Sequence, residues 1–131
     1  MKDWLLTQKQ VNLFHQLGIF TIFTINIFLL VLGMFVEGTA ALILLTPILV
    51  PIAKSFGIDP VHFGIILILN LSIAGATPPV GTLMFTTCSI SNVKIEEYIK
   101  EGYPFIIATI VALLLITYFP TISMLLPNLL M

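Results

Sequence analysis

Arginine is absent from this 131-residue chain, and Asp, Glu and Lys together make up only 8% of it. The five lysines stand singly, at Lys2, Lys9, Lys54, Lys94 and Lys100, and the net charge is -1. Nucleic-acid binding needs a clustered basic surface and is excluded on that ground, as is a polybasic lipid-binding patch. The single cysteine, Cys88, cannot form a disulfide within the chain and is read as a buried, inert thiol. No serine, cysteine and histidine arrangement, metal-ligand cluster or phosphate-binding glycine loop is present, so neither enzyme activity nor a cofactor is expected. A signal peptide is not expected either, because Met1 to Gln16 mixes Lys2, Asp3 and Lys9 with polar residues and the apolar run behind it is too long for a signal core. What fills the chain is apolar: 59% hydrophobic residues place it outside the range of soluble domains. The composition predicts an all-α integral membrane protein, with residues 1–131 forming a single membrane domain.

The organisation follows from where the apolar runs stop. Residues 1–16, with Trp4 as an aromatic anchor, suit a short helix at the membrane surface. Leu17 to Leu32 is apolar and runs into Gly33-Met34-Phe35-Val36-Glu37-Gly38-Thr39; Ala40 to Ala53 is apolar again but carries Pro47 and Pro51. Two foldings are open. In one, Leu17 to Val36 crosses the bilayer, its roughly 20 residues at about 1.5 Å each matching a core of about 30 Å, and Glu37 caps an exposed end. In the other, the two apolar runs are arms of a re-entrant hairpin with Gly33 to Thr39 as a buried tip, which would put Glu37 deep in the membrane, where a carboxylate needs a partner or a functional reason.

Further along, Asp59-Pro60 predicts a helix start, an N-cap followed by a proline at the first helical position, and the helix is expected to run to Ala74. Thr82 to Ile90 resumes the crossing. Ile95 to Glu101 reads as an amphipathic surface helix, and Pro104 to Met131 as a final span that Pro120 kinks and Pro127 ends. His62 is expected near the interface, in no proton-relay role, and the Glu96, Glu97, Lys100 and Glu101 cluster as a solvated face.

The most informative segment is Gly75-Ala76-Thr77-Pro78-Pro79-Val80-Gly81, which interrupts an uncharged stretch otherwise long enough to span. Each proline lacks an N–H and clashes with the carbonyl four residues earlier, so the carbonyls of Ala74 and Gly75 lose their helical donors. In hydrocarbon such oxygens are tolerated only where protein, water or a cation satisfies them. Asn70, Ser72, Thr77, Thr82, Thr86, Thr87 and Ser89 add neutral oxygens around the break, a ligand set that suits a hard cation such as sodium. The competing reading is a simple proline kink whose hydroxyls bond back to their own helix. Pro47 and Pro51, which free the carbonyls of Ile43 and Pro47, fit a bend or a hairpin arm equally well.

The order Gly33-Met34-Phe35-Val36-Glu37-Gly38, Pro47-Ile48-Leu49-Val50-Pro51-Ile52, Gly57-Ile58-Asp59-Pro60-Val61-His62-Phe63-Gly64 and Thr77-Pro78-Pro79-Val80-Gly81, followed by Pro104, Pro120 and Pro127, resembles the C-terminal end of the large membrane subunit of tripartite ATP-independent periplasmic (TRAP) transporters. The resemblance implies a sodium-coupled importer of organic acids, such as C4-dicarboxylates or sialic-acid-like carboxylates, in the bacterial inner membrane. Its implied partners are a periplasmic substrate-binding protein, a small membrane subunit and the remainder of the large subunit. It favours the re-entrant hairpin followed by a discontinuous transmembrane helix, with the Lys94 to Lys100 loop cytoplasmic. The implied ion and substrate residues are Gly33, Glu37, Gly38, Thr39, Asn70, Ala74, Gly75, Thr77, Pro78, Pro79 and Gly81, with sodium held mainly by backbone carbonyls of Gly33, Ala74, Gly75 and Thr77. Ala74 stands where that family often has glycine. The family's first repeat has no counterpart here, so the chain is expected to be a fragment that does not transport alone. The reading from another class is a small structural or assembly subunit that binds no ion.

Overall fold

A computed structural model describes residues 2–130, and every regular element among them is helical. The order is α1 (Lys2–Phe35), α2 (Gly38–Ser55), α3 (Pro60–Ala76), α4 (Thr82–Ser91), α5 (Ile95–Tyr118) and α6 (Pro120–Leu130). Of these, α1, α2 and α5 are each long and apolar enough to cross a membrane.

The centre of the bundle is α3. Its sequence is apolar on nearly all sides, the pattern of a helix buried by its neighbours, and it touches α1, α2, α4, α5 and α6. The core joins residues spaced four apart on three helices: Ile25 and Leu29 of α1, Ala41, Leu45, Leu49 and Ala53 of α2, and Phe63, Leu67 and Leu71 of α3. Such i, i+4 rows are the ridges by which helices interlock. The large apolar residues left outside, including Phe20, Ile43, Leu44, Phe105 and Leu126, face outward, as a lipid-facing surface requires.

Helix ends follow local chemistry. Asp59 accepts from the N–H groups of Val61 (2.8 Å) and His62 (3.4 Å), and Pro60 opens α3, as the Asp59-Pro60 pair predicts. Thr77, extended at φ -100 and ψ 135, ends α3 because a residue before proline is pushed out of the helical region. Gly81, at φ +28, leads into α4.

Several boundaries differ from expectation. Residues 2–17 are helical and exposed, but they continue into the apolar run as one 34-residue helix, since no proline separates them and the single Gly18 at the junction does not end the helix. The expected surface helix at Ile95 is likewise the first part of α5, and Pro104 lies inside it. The carbonyl deprived by Pro104 is that of exposed Lys100, where solvent can replace the lost donor. Pro120 does more than kink: α5 ends at Tyr118 and α6 begins at Pro120. Pro127 lies within α6 and does not end it. Pro47 and Pro51 are both accommodated within a continuous α2.

Candidate functional site

The turn between α1 and α2 stands beside the break between α3 and α4. Glu37, Gly38, Thr39 and Leu42 on one side and Ile68, Leu71, Ser72, Gly75, Thr82 and Leu83 on the other enclose a cavity of about 250 Å³. Four of the expected site residues, Glu37, Gly38, Thr39 and Gly75, thus meet in one place. So do two of the neutral oxygens read from the sequence, Ser72 and Thr82.

Glu37 is the N-cap of α2. Its Oε1 accepts from the N–H of Thr39 (3.0 Å) and its Oε2 from that of Ala40 (2.8 Å), so both carboxylate oxygens are engaged by the helix end they help to create. This is the capping role of the first folding, at a position beside the break.

The break itself is built from backbone oxygens. Because residues 78 and 79 are both proline, no N–H three or four residues on can reach the Gly75 carbonyl, and among the described residues none from elsewhere does. The Ala74 carbonyl differs from expectation: it regains a donor from the N–H of Thr77 at 3.1 Å. A carbonyl has two lone pairs, so one remains. The Thr77 hydroxyl donates back to Ile73 O of its own helix at 2.6 Å.

Gly81 reveals how these oxygens are arranged. A Cβ built there would lie 2.7 Å from Thr77 O and 2.8 Å from Gly75 O. Two carbonyls therefore converge on one point that only the lack of a side chain keeps open. Ala76 O is also occupied, since the Tyr98 hydroxyl of α5 approaches it at 3.4 Å. The sequence places Tyr98 on the apolar side of the amphipathic segment Ile95 to Glu101, with no role at the break.

The remaining expected residues lie close by but do not line the cavity. Gly33 faces Ala74 and Leu71 across the α1–α3 contact. Among the described residues its own carbonyl, in the last turn of α1, receives no backbone N–H. Pro78 and Pro79 form the break. Asn70 is fully buried one turn before Ala74; its amide donates to Ile66 O (2.9 Å) and to Asn26 Oδ1, and its own Oδ1 has no partner among the described residues. Asn26 donates in turn to the Thr117 hydroxyl at 3.2 Å. Asn26 and Thr117 went unremarked in the sequence, although an amide inside an otherwise apolar run is itself a signal. His62, in the first turn of α3, is buried against its neighbours, its Nδ1 at 2.5 Å from Ser123 Oγ. Cys88 is buried and free, as read.

Over residues 2–122 the sequence matches the family described as "Tripartite ATP-independent periplasmic transporter, DctM component". It is similar to the isethionate TRAP transporter permease protein DctMQ of Oleidesulfovibrio alaskensis, 48% identical over 100 residues, which are 76% of this chain and 16% of that protein. It is also similar to the C4-dicarboxylate TRAP transporter large permease protein DctM of Pseudomonas aeruginosa, 40% identical over 79% of this chain and 24% of that protein. The sialic acid TRAP transporter large permease protein SiaM of Vibrio cholerae is 41% identical over 80% of this chain and 25% of its own length. The chain thus spans a quarter or less of the length of these relatives. With three helices able to cross a membrane and a family match over nearly its whole length, the chain belongs to the DctM component family of TRAP transporters, multi-pass membrane permeases and not a class of enzymes.

Proposed function

We propose that this chain is the part of a sodium-coupled importer of organic acids that holds a coupling ion at the α3–α4 break. The observation that carries the reading is the convergence of Gly75 O and Thr77 O on the open face of Gly81. Peptide oxygens without donors, gathered beside a cavity in a membrane helix, suit a hard monovalent cation better than a kink would require. The Ala74 carbonyl, with one lone pair still free, and the Gly33 carbonyl at the end of α1 supply the further oxygens expected from the family resemblance. Sodium acts here as the coupling ion that drives transport, not as a resident cofactor.

The re-entrant form of the α1–α2 hairpin belongs to the same proposal. Its tip lies beside the break, and α4 adds 10 residues after it, a rise of about 15 Å. This supports a reading in which the hairpin turns back inside the bilayer. The cavity beside Glu37, Gly38, Thr39 and Asn70's helix is then where the substrate's charged end approaches. With no arginine in the chain, an anion there would be met by the N-terminus of α2, hydroxyls and amides. C4-dicarboxylates and sialic-acid-like carboxylates are the proposed cargo, in keeping with the names of the Pseudomonas and Vibrio relatives. A periplasmic binding protein, a small membrane subunit and further large-subunit segments are the proposed partners, and the bacterial inner membrane the proposed location.

The proposed ion site lies wholly within this chain, so it can be tested on the chain itself. Binding to the folded state raises stability by mass action, about 2.7 kcal/mol at a hundredfold excess over the dissociation constant. Thermal unfolding in detergent should shift upward with sodium and not with potassium or choline at equal ionic strength. Identical curves in all three salts would leave the structural-subunit reading in its place.

A further inference from the structure

A buried polar line runs across the bundle one turn below the break. Asn70 of α3 is 0% exposed, Asn26 of α1 2% and Thr117 of α5 4%. Their hydrogen bonds have a single consistent direction. The Thr117 hydroxyl donates to Leu113 O at 2.7 Å and accepts from Asn26 Nδ2 at 3.2 Å. Asn26 Oδ1 accepts from Asn70 Nδ2, whose other hydrogen goes to Ile66 O at 2.9 Å. Turning either amide over would set oxygen against oxygen or nitrogen against nitrogen, so the orientation of both is fixed by the network. Three helices are thereby tied at one level, and α3, at one end of the line, carries the break.

We infer that Asn26 is a positioning residue for the ion site: by clasping Asn70 and leaning on Thr117, it sets the depth and rotation of α3, and so the direction of the Gly75 and Thr77 carbonyls. This rests on the reading of the break as a sodium site. Apolar packing of the Phe63, Leu67 and Leu71 row of α3 against α2 is non-directional, so it fixes no single hydrogen-bonded register by itself. A buried amide pair cannot slide without breaking. Asn70 is four residues from Ala74, one helical turn, so a rotation of α3 at Asn70 is passed to the break directly. The Asn70 Oδ1 left without a partner is consistent with a placement set by the amide's two donors and not by its acceptor.

The test separates positioning from mere support. The sodium midpoint and the unfolding temperature in sodium-free buffer are measured on the full chain in detergent for Asn26→Leu, Thr117→Val and Thr117→Ser. Positioning predicts that Asn26→Leu and Thr117→Val each raise the sodium midpoint by about fivefold or more, while Thr117→Ser, which restores the hydroxyl, returns it to the wild-type value. If the unfolding temperature falls but the midpoint stays within about twofold of wild type, Asn26 only supports the fold and the inference is wrong. Should Asn26→Leu not fold, the Thr117 pair carries the same decision. Failure of the sodium reading itself is distinguishable, because the wild-type chain would then show no sodium midpoint at all.

Discussion

Gly33 of α1 sits directly against Ala74 of α3: a Cβ added at Gly33 would stand 2.7 Å from that of Ala74 and 3.2 Å from Leu71 Cδ2. The Ala74 methyl is attached directly to a helix backbone and cannot rotate away. A methyl at position 33 therefore has to push the hairpin arm off the broken helix.

From this contact Gly33→Ala is expected to destabilise the chain by about 1–3 kcal/mol, the usual cost of overpacking. Gly64, in the same central helix, has nothing within 4 Å of its ideal Cβ, so Gly64→Ala should be neutral or stabilise by up to about 1 kcal/mol through better helix propensity. Denaturation in detergent compares the two directly. Equal losses at both positions would show that glycine matters for a reason other than this contact.

The prolines of the break allow a prediction of opposite sign. Replacing both, Pro78→Ala and Pro79→Ala together, restores the N–H groups that Ala74 O and Gly75 O lack in a continuous helix and removes the restriction on Thr77. Helical content by circular dichroism and the sodium-free unfolding temperature should both rise, while the sodium-dependent shift disappears. Pro79→Ala alone leaves Thr77 before a proline and should fall between. A double variant that keeps its full sodium response would remove the break from the binding mechanism.

How much of this was legible in the residues depended on whether the governing interaction is local. The Asp59-Pro60 start and the break are both set by chemistry within four residues; the start stands where the sequence puts it, while α3 runs on to Ala76, two residues past the expected end at Ala74, because the Thr77 N–H still reaches Ala74 O. Pro104 and Pro127 carry the same local penalty but sit inside helices, because a lost backbone bond can be absorbed by surroundings that a residue's type does not disclose. Gly33 and Ala74 are each marked by local chemistry, the hairpin glycine and the paired prolines, but their meeting is implied only by the family resemblance. Asn26 was passed over since its partners are 44 and 91 positions away, a separation no periodicity encodes. The reach of Tyr98 is hidden for a related reason: its place on an amphipathic turn is legible, but its hydroxyl meets the end of a helix 22 positions earlier.

Glu37 offers a graded test of the hairpin's tip. Both of its oxygens cap α2, so Glu37→Gln, which replaces one acceptor by a donor, should lower the unfolding temperature part of the way, and Glu37→Ala, which removes both acceptors, should lower it further. Helix ends favour this order whether or not an ion is bound, so the series is run without sodium. If the glutamine and alanine variants melt together at the wild-type temperature, the carboxylate's two bonds to Thr39 and Ala40 do not hold the tip.

The sharpest prediction concerns Gly81. Its φ of +28 is strained for any residue with a side chain, and its Cβ would stand inside contact distance of Thr77 O and Gly75 O as well as 3.3 Å from Met84 Cβ. Backbone oxygens cannot swing aside as a flexible side chain would, so Gly81→Ala must either turn the two carbonyls outward or re-form the turn. Either response disperses the oxygens proposed to hold the cation. The sodium-dependent rise in unfolding temperature should then vanish in Gly81→Ala, even under conditions where the variant remains helical by circular dichroism. In the Gly64→Ala chain the same rise should persist. If Gly81→Ala kept a sodium response equal to wild type, the cation would have to be held by oxygens other than these two, and the proposed site would move away from the paired prolines.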